Sequence, residues 1–404
     1  MPHVARERQK QQSYFPVSAT QFCKLYFMHK FTLAFDIYER DKILRMLENS
    51  LGFDAQGLQR EVDWESCIKA QEWREDVLFE DQKPKERSKS GFGGNDIQEF
   101  EGIVYVYSAL NLTFQSDIYD ALAGLYRYFK RCLGADLVHG IPNTVFDWSL
   151  LWTSFDVQKR RDKTPSWSWA GWIGQSALST WFWYDRSIAR VRRALRQRTW
   201  IIWYQRKAHE SEEVIRIWTP KKSSKPTTKP RNFYGSHFKD RFVIDCTHTT
   251  PTPRKLSGTP EYLEDVHNPL RGSGFLQFWT VSLRFRFGSM FGGILDPEDK
   301  GRMTRFEIFG RNNYNVGYIM LDPEWATANA KQDHEFILLC EGRDPMPFGK
   351  PPKDVDSEEG WGYRVLLIEW KGEWAERVSV GFIQKESLNE ALGDGPVWKE
   401  IILG

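Results

Sequence analysis

Apolar positions change their period along the chain, and the change divides it in two. From Glu39 to Leu51, the residues Ile43, Leu44, Leu47 and Leu51 recur at helical spacing and Gly52 supplies a stop, which predicts one amphipathic helix. A clearer helix is predicted from Ser116, with Ile118, Leu122, Leu125, Phe129 and Leu133 as its apolar stripe. Ser116 is placed to cap it, Asp117 and Asp120 suit the positive end of its dipole, Lys130 and Arg131 fall in the last turn, and Gly134 ends it. A further short helix is predicted near Pro142, whose fixed φ suits a first helical position, carrying Val145, Phe146, Leu150, Leu151 and Trp152.

Beyond Gly174 the texture becomes strands and turns. Glycines and prolines break runs of aromatic and β-branched residues, and the predicted strands are Phe275–Phe287, Arg305–Phe309, Gly317–Leu321, Glu335–Cys340, Tyr363–Trp370, Glu376–Ile383 and Lys399–Leu403. Around Lys371 and Gly372 a hairpin is expected. A nearly continuous apolar strand enters it (Val365, Leu366, Leu367, Ile368), and an alternating, half-buried one leaves it. Such strands need a second layer, so the expected class is α+β: a helical N-terminal part followed by a mostly antiparallel, sandwich-like β-rich part, as a sandwich or an open barrel. The expected divisions are residues 1–95, a helical segment closing in the polar, glycine-ended linker Glu80–Gly94; 96–175, a helical module; and 176–404, the β-rich domain, interrupted at about 219–262 by a basic low-complexity loop.

Composition places the chain among folded globular proteins, with 41% hydrophobic and 27% charged residues, and a net charge of only +2 advertises no general attraction to nucleic acid or to an acidic membrane. Five widely spaced cysteines form no C-x-x-C pair, which points to a reducing compartment. The charged amino terminus lacks a secretory core, and no apolar run approaches the roughly 18 residues of a spanning helix, so a cytoplasmic protein without a membrane partner is expected. Tryptophan is the unusual component: 18 Trp, beside 27 Phe and 15 Tyr, predict aromatic cores or, less commonly, a stacking surface.

The most individual segment is Pro165-Ser166-Trp167-Ser168-Trp169-Ala170-Gly171-Trp172. As a strand it would put the indoles of Trp167 and Trp169 on one face and the hydroxyls of Ser166 and Ser168 on the other, to be buried as structure or offered as a platform. This segment resembles the signature found beyond the effector domain in the fungal heterokaryon-incompatibility (HET-domain) family. Other blocks agree in order: Leu112 to Gly124 with its Ser116-Asp117 and Asp120-Ala121-Leu122-Ala123-Gly124, Gly140-Ile141-Pro142 with Leu150-Leu151-Trp152, Leu366 to Trp370, Ala375-Glu376-Arg377 to Gly381, and Val397-Trp398 to Gly404. Motifs resembling those of the HET domain itself do not occur, so the resemblance implies the region beyond that domain, with residues 1–95 as its remnant or approach. It also implies an accessory role in nonself recognition and incompatibility cell death, with a HET effector domain or another protein as partner.

Reaction chemistry is not expected. G-x-S-x-G, H-E-x-x-H and a phosphate loop are missing, His334-Glu335 lacks its second histidine, and Gly91-Phe92-Gly93-Gly94 reads as linker. Cys246 and His248 share a local spacing rather than a catalytic arrangement, and Glu307, Glu369 and Glu376 lie on predicted strands with nothing to bring two of them together. Neither a cofactor nor a metal is expected. Between Arg186 and Arg241 sixteen Lys and Arg stand against four acids, with Trp200, Trp203, Tyr204 and Trp218 among them. This reads as a solvated basic face, and nucleic acid is not expected as a partner. The alternative function is a β-sandwich module binding carbohydrate or nucleic acid through these Trp-rich and basic surfaces.

Overall fold

The computed structural model describes scattered positions between residues 100 and 133, and then residues 134–178, 198–208, 211–219, 248–290, 301–343 and 360–404. The helix expected at 39–51 and the linker at 80–94 lie outside them. The described residues other than Leu112 belong to one compact unit.

The expected division into a helical part and a sandwich is corrected. Strand accounts for 39% of the interpretable residues and helix for 20%. Where a helical module was expected, the chain makes short pairs, β1 (Leu137–Val138) with β2 (Ile141–Pro142), β3 (Trp152–Thr153) with β6 (Ala177–Leu178), and β4 (Lys159–Arg160) with β5 (Trp172–Ile173). Beyond Gly134, the helix α1 of this stretch is only Phe146–Ser149, entered through a 3-10 turn at Asn143–Val145. Positive φ at Gly134, His139 and Gly140 (56°, 49° and 79°) turns the backbone too sharply for continuous helix. The apolar residues there are buried one short turn at a time, a pattern that a run of hydrophobics cannot distinguish from a helix. Residues 118–120, 122, 123, 126 and 130 are helical, and Ile118 and Leu122 are buried as the stripe predicts. Ser116, however, sits inside a 3-10 turn with its hydroxyl on Asp117 Oδ1 at 3.0 Å and caps nothing.

The β part is one sheet of nine strands rather than two stacked layers. Its members are β7 (Tyr204–Arg206), β8 (Val214–Arg216), β9 (Leu276–Met290), β10 (Thr304–Phe309), β11 (Asn315–Leu321), β12 (His334–Arg343), β13 (Trp361–Trp370), β14 (Ala375–Gln384) and β15 (Val397–Leu403). All seven strands read from the sequence are present, and the expected hairpin joins β13 to β14, with Gly372 at φ 88° and Lys371 N–H donating to the Trp374 carbonyl at 2.7 Å. Following hydrogen-bonded neighbours from β9 through β10, β11, β14, β13 and β12 returns to β9, so the sheet closes on itself. Closure leaves these six strands without the two outer edges that a flat sheet would expose, while β7, β8 and β15 extend from the ring. It requires tight approach: a Cβ on Gly317 would lie 2.0 Å from the Phe382 carbonyl oxygen, and one on Gly362 2.4 Å from that of Ile383.

Strand β9 makes the closure possible by its length. Its fifteen residues serve β15 and β7 with the first half and β12 and β10 with the second. The central strands are buried on both faces, with Phe336 to Cys340 at 1% exposure or less. Part of the second layer comes from α1, which packs on β12, from β3 against β14, and from Trp200, whose Nε1 donates to Thr280 Oγ1. One helix the apolar pattern does not reveal, α2 (Pro323–Asn329), follows local rules: Asp322 caps it by accepting from Glu324 N–H at 3.0 Å, and Pro323 opens it.

Candidate functional site

Strands β14 and β15 run parallel and touch only at Ala375 and Leu403, then diverge. Main-chain groups on the facing edges are therefore left without a ladder partner, and the Trp-rich segment enters this gap. Ser166 supplies both missing partners: its N–H and its hydroxyl donate to the Gly404 carbonyl, and the same hydroxyl oxygen accepts from Arg377 N–H at 2.8 Å. Only a short hydroxyl can donate and accept at one point. Ser166→Ala should leave the buried Arg377 N–H unsatisfied and destabilise the fold by about 2–3 kcal/mol. Urea unfolding checks this, with Ser166→Thr recovering part of the loss; an unchanged midpoint for the alanine variant would remove the wedge role.

The rest of the segment is turned inward. It is not the strand its alternation suggests: Trp169–Gly171 is a 3-10 turn capped by Ser168, whose hydroxyl accepts from Ala170 N–H at 3.0 Å and donates to the His139 carbonyl at 2.5 Å. Gly171 is pressed so close to Pro165 that a Cβ would fall 2.3 Å from its carbonyl oxygen. Trp167 and Trp169 are 0% and 1% exposed, and each indole N–H is used, on the carbonyls of Gly274 (2.8 Å) and Gly140 (3.0 Å). Trp172 donates to the Ser166 carbonyl at 2.8 Å. A stacking platform would need an indole face open to solvent, and Trp167 and Trp169 offer none.

Three arginines hold the carbonyls of this seam. Arg377, 4% exposed, donates to the carbonyls of Leu150 and Trp152 and lies 3.6 Å over the Trp152 ring. Desolvation lowers its pKa well below the arginine value, and no carboxylate faces it among the described residues. Arg161 reaches Ala170 and Trp172, and Arg160 reaches Gly171. Glu376 stands 4.0 Å from Arg160 and directly opposite Glu369 across the β13–β14 pair. Those two carboxylates are thus brought side by side, but Glu369 is engaged by Lys371 at 2.9 Å. Trp370 and Trp398 lie outside the seam. Trp370 donates to Glu335 Oε2 at 2.8 Å beneath the Lys399 ammonium, and Trp398 donates to the His248 carbonyl at 2.6 Å.

Beneath the seam is a polar cluster the sequence did not announce. His139 is fully buried, its Nδ1 is 2.7 Å from the Tyr119 hydroxyl, and its ring meets Trp167 edge-on at 5.5 Å. Nε2 finds no partner within hydrogen-bonding geometry; the Ser273 backbone lends the protonated ring only weak support. Burial is the larger influence and lowers the imidazole pKa from 6.5 to about 3. Asp265 accepts from the backbone N–H of His139 (3.0 Å) and His267 (3.2 Å), and burial outweighs these bonds to raise its pKa from 3.8 to about 6. The imidazole and the carboxylate do not meet, so this is not a relay for activating a nucleophile.

Other candidates are absorbed by the fold. Cys340 is a buried thiol whose pKa burial raises, and His334 Nε2 donates to the Asn329 carbonyl at 2.9 Å while its ring stacks on Phe287 at 4.5 Å. Cys246 lies outside the described residues. Glu307 accepts from Asn315. Of the basic stretch, Arg198 pairs with Glu341 at 2.7 Å, Arg206 is buried, and Trp200 and Trp203 are core residues, so these members form no open basic face. Among the described residues, no group of three or more His, Cys, Asp or Glu is placed to hold a metal. A hollow lined by Phe146, Trp203, Arg216 and Trp218 has a cavity volume of about 10 Å³, room for no more than a water molecule. The chain matches no protein-family model, no curated protein and no solved structure.

Proposed function

We propose that this chain is the accessory, regulatory or recognition part of a fungal heterokaryon-incompatibility system, acting through a HET effector domain or another protein and carrying out no reaction itself. What supports the reading is the convergence of the blocks that resemble that family. Leu150 and Trp152, Ser166 and Trp167, Arg377 and Gly404 come from four separated blocks and meet through the Ser166 wedge, the Arg377 guanidinium and the Trp152 Nε1 bond to the Trp167 carbonyl at 2.9 Å. Residues engaged with main-chain groups at a buried seam explain themselves as scaffold and need no substrate. The rival reading, a β-sandwich module binding carbohydrate or nucleic acid through Trp-rich and basic surfaces, draws no support from Trp167 and Trp169, which are buried, or from Arg206, which is buried as well. A cytoplasmic location belongs to the same proposal; among the described residues no helix is long and apolar enough to cross a membrane.

A regulatory region acts through its partner's equilibrium, so alone it should be inert. Inducible expression of residues 1–404 in a fungal host is expected to leave viability unchanged, while co-expression with a HET effector shifts the dose at which that effector kills. Prompt death and vacuolar collapse from this chain alone would place the toxic activity here and overturn the assignment.

A further inference from the structure

One face of the β9–β15 pair carries an extended segment of the chain held in an unusual way. Residues 248–254, His-Thr-Thr-Pro-Thr-Pro-Arg, form no sheet ladder. Instead their alternate carbonyls are taken by side-chain donors: His248 by Trp398 Nε1 at 2.6 Å, Thr250 by Trp279 Nε1 at 3.0 Å, Thr252 by Gln277 Nε2 at 2.9 Å and Arg254 by Arg206 Nη2 at 2.7 Å. The Thr252 N–H, between two prolines that have none, donates to Glu400 Oε1 at 2.6 Å, and Gln277 Nε2 braces that carboxylate at 2.8 Å. Glu400 stands opposite Trp279 and Ile402 opposite Gln277, so the donors and the acceptor share one sheet face. Pro251 is buried, whereas His248, Thr250, Thr252 and Pro253 are exposed.

This arrangement reads a backbone rather than a set of side chains. Alternate carbonyls point to one side of an extended chain, and prolines at alternate positions remove the N–H groups that would otherwise seek a ladder partner. Two indole donors, an amide and a guanidinium, spaced to meet such carbonyls, form a cradle for a proline-containing extended peptide. The geometry points to a peptide-binding groove, occupied in cis by residues 248–254 and able to take a segment of the same chemistry from a partner protein: extended, with prolines two apart and a basic residue following. The tethered segment acts at high effective concentration, so it blocks the groove until it is loosened. Its carboxyl side is fixed, because Leu256 is buried with Phe275, Trp374 and Ile402, and opening must therefore peel the strap from its amino side. The inference does not depend on the incompatibility reading, and purified protein tests it without a fungal host.

The test uses a labelled peptide, His-Thr-Thr-Pro-Thr-Pro-Arg-Lys with blocked ends, and fluorescence anisotropy with the full chain. Pro251→Gly with Pro253→Gly loosens the strap and is expected to bind the peptide at least tenfold more tightly than the wild type. Adding Trp279→Phe, which keeps the ring and removes the N–H, should abolish that gain. Should the double variant fail to fold by circular dichroism, Pro251→Ala alone carries the same comparison. No gain in a folded strap variant overturns the proposal, as does equal binding of a peptide with both prolines replaced by alanine. Concentration-dependent dimerisation of the strap variant without peptide binding would assign the groove to a second copy of the chain and overturn it equally.

Discussion

Trp167→Ala is expected to cost about 3–5 kcal/mol and to lower the melting temperature by roughly 10 °C. The indole is 0% exposed, packs against His139 and Phe146, and donates to the Gly274 carbonyl, so truncation opens a cavity and strands a buried acceptor at once. The surroundings cannot collapse to fill the space, because the Trp167 carbonyl holds Trp152, which in turn lies under Arg377. Trp167→Phe should recover part of the loss, restoring most of the volume without the bond. Differential scanning calorimetry of the three proteins distinguishes the outcomes. An alanine variant that melts like the wild type would mean that the seam does not hold the fold together.

The second large effect is on the dependence of stability on pH. His139 has a folded pKa of about 3 against 6.5 for the free side chain, so between those values the unfolded chain binds the proton and the folded one does not. Its contribution is complete above pH 6.5 and is lost as pH falls towards 3, at about 1.4 kcal/mol per unit. Asp265 acts in the opposite sense. With a folded pKa of about 6 against 3.8, the folded state holds its proton more readily, so its contribution grows as pH falls from 6 to 4. Over that window the two nearly cancel. Asp265→Asn keeps the acceptor for the His139 N–H and removes the compensation, so it should lose about 3 kcal/mol more than the wild type between pH 6.5 and 4. His139→Asn, which tolerates the left-handed backbone at that position, should reverse the trend and gain stability over the same range. Chemical unfolding at half-unit pH steps measures both; parallel profiles for all three proteins would exclude the pair as the source.

Neither residue announced itself. His139 reads as one histidine before a Gly-Ile-Pro turn and Asp265 as one acid in a run without regular structure, 126 residues away. Their pKa values are set by burial, which arises only when distant segments bring His139 against Tyr119, Trp167 and Asp265. Arg160 and Arg161 were equally silent, since an arginine that satisfies carbonyls looks in sequence like any surface cation. The indoles were legible as aromatic core, but their local geometry was not. Alternating Ser and Trp suggests a strand until Ser168 turns its hydroxyl back to cap a 3-10 turn and Gly171 closes onto Pro165.

Sequence alone determined what depends on near neighbours. The seven strands follow from period-two alternation and apolar runs, the β13–β14 hairpin from the Lys371-Gly372 turn between them, and the start of α2 from Asp322 and Pro323, a local signal open to be read. Tertiary structure alone decided which edges meet. Closure of the sheet depends on one long strand serving four partners, and the Ser166 wedge depends on a carbonyl 238 residues away. The physical reason is that a main-chain N–H or C=O carries no residue-specific mark. Every buried one must find a partner, but which side chain supplies it is settled only when distant segments are packed together.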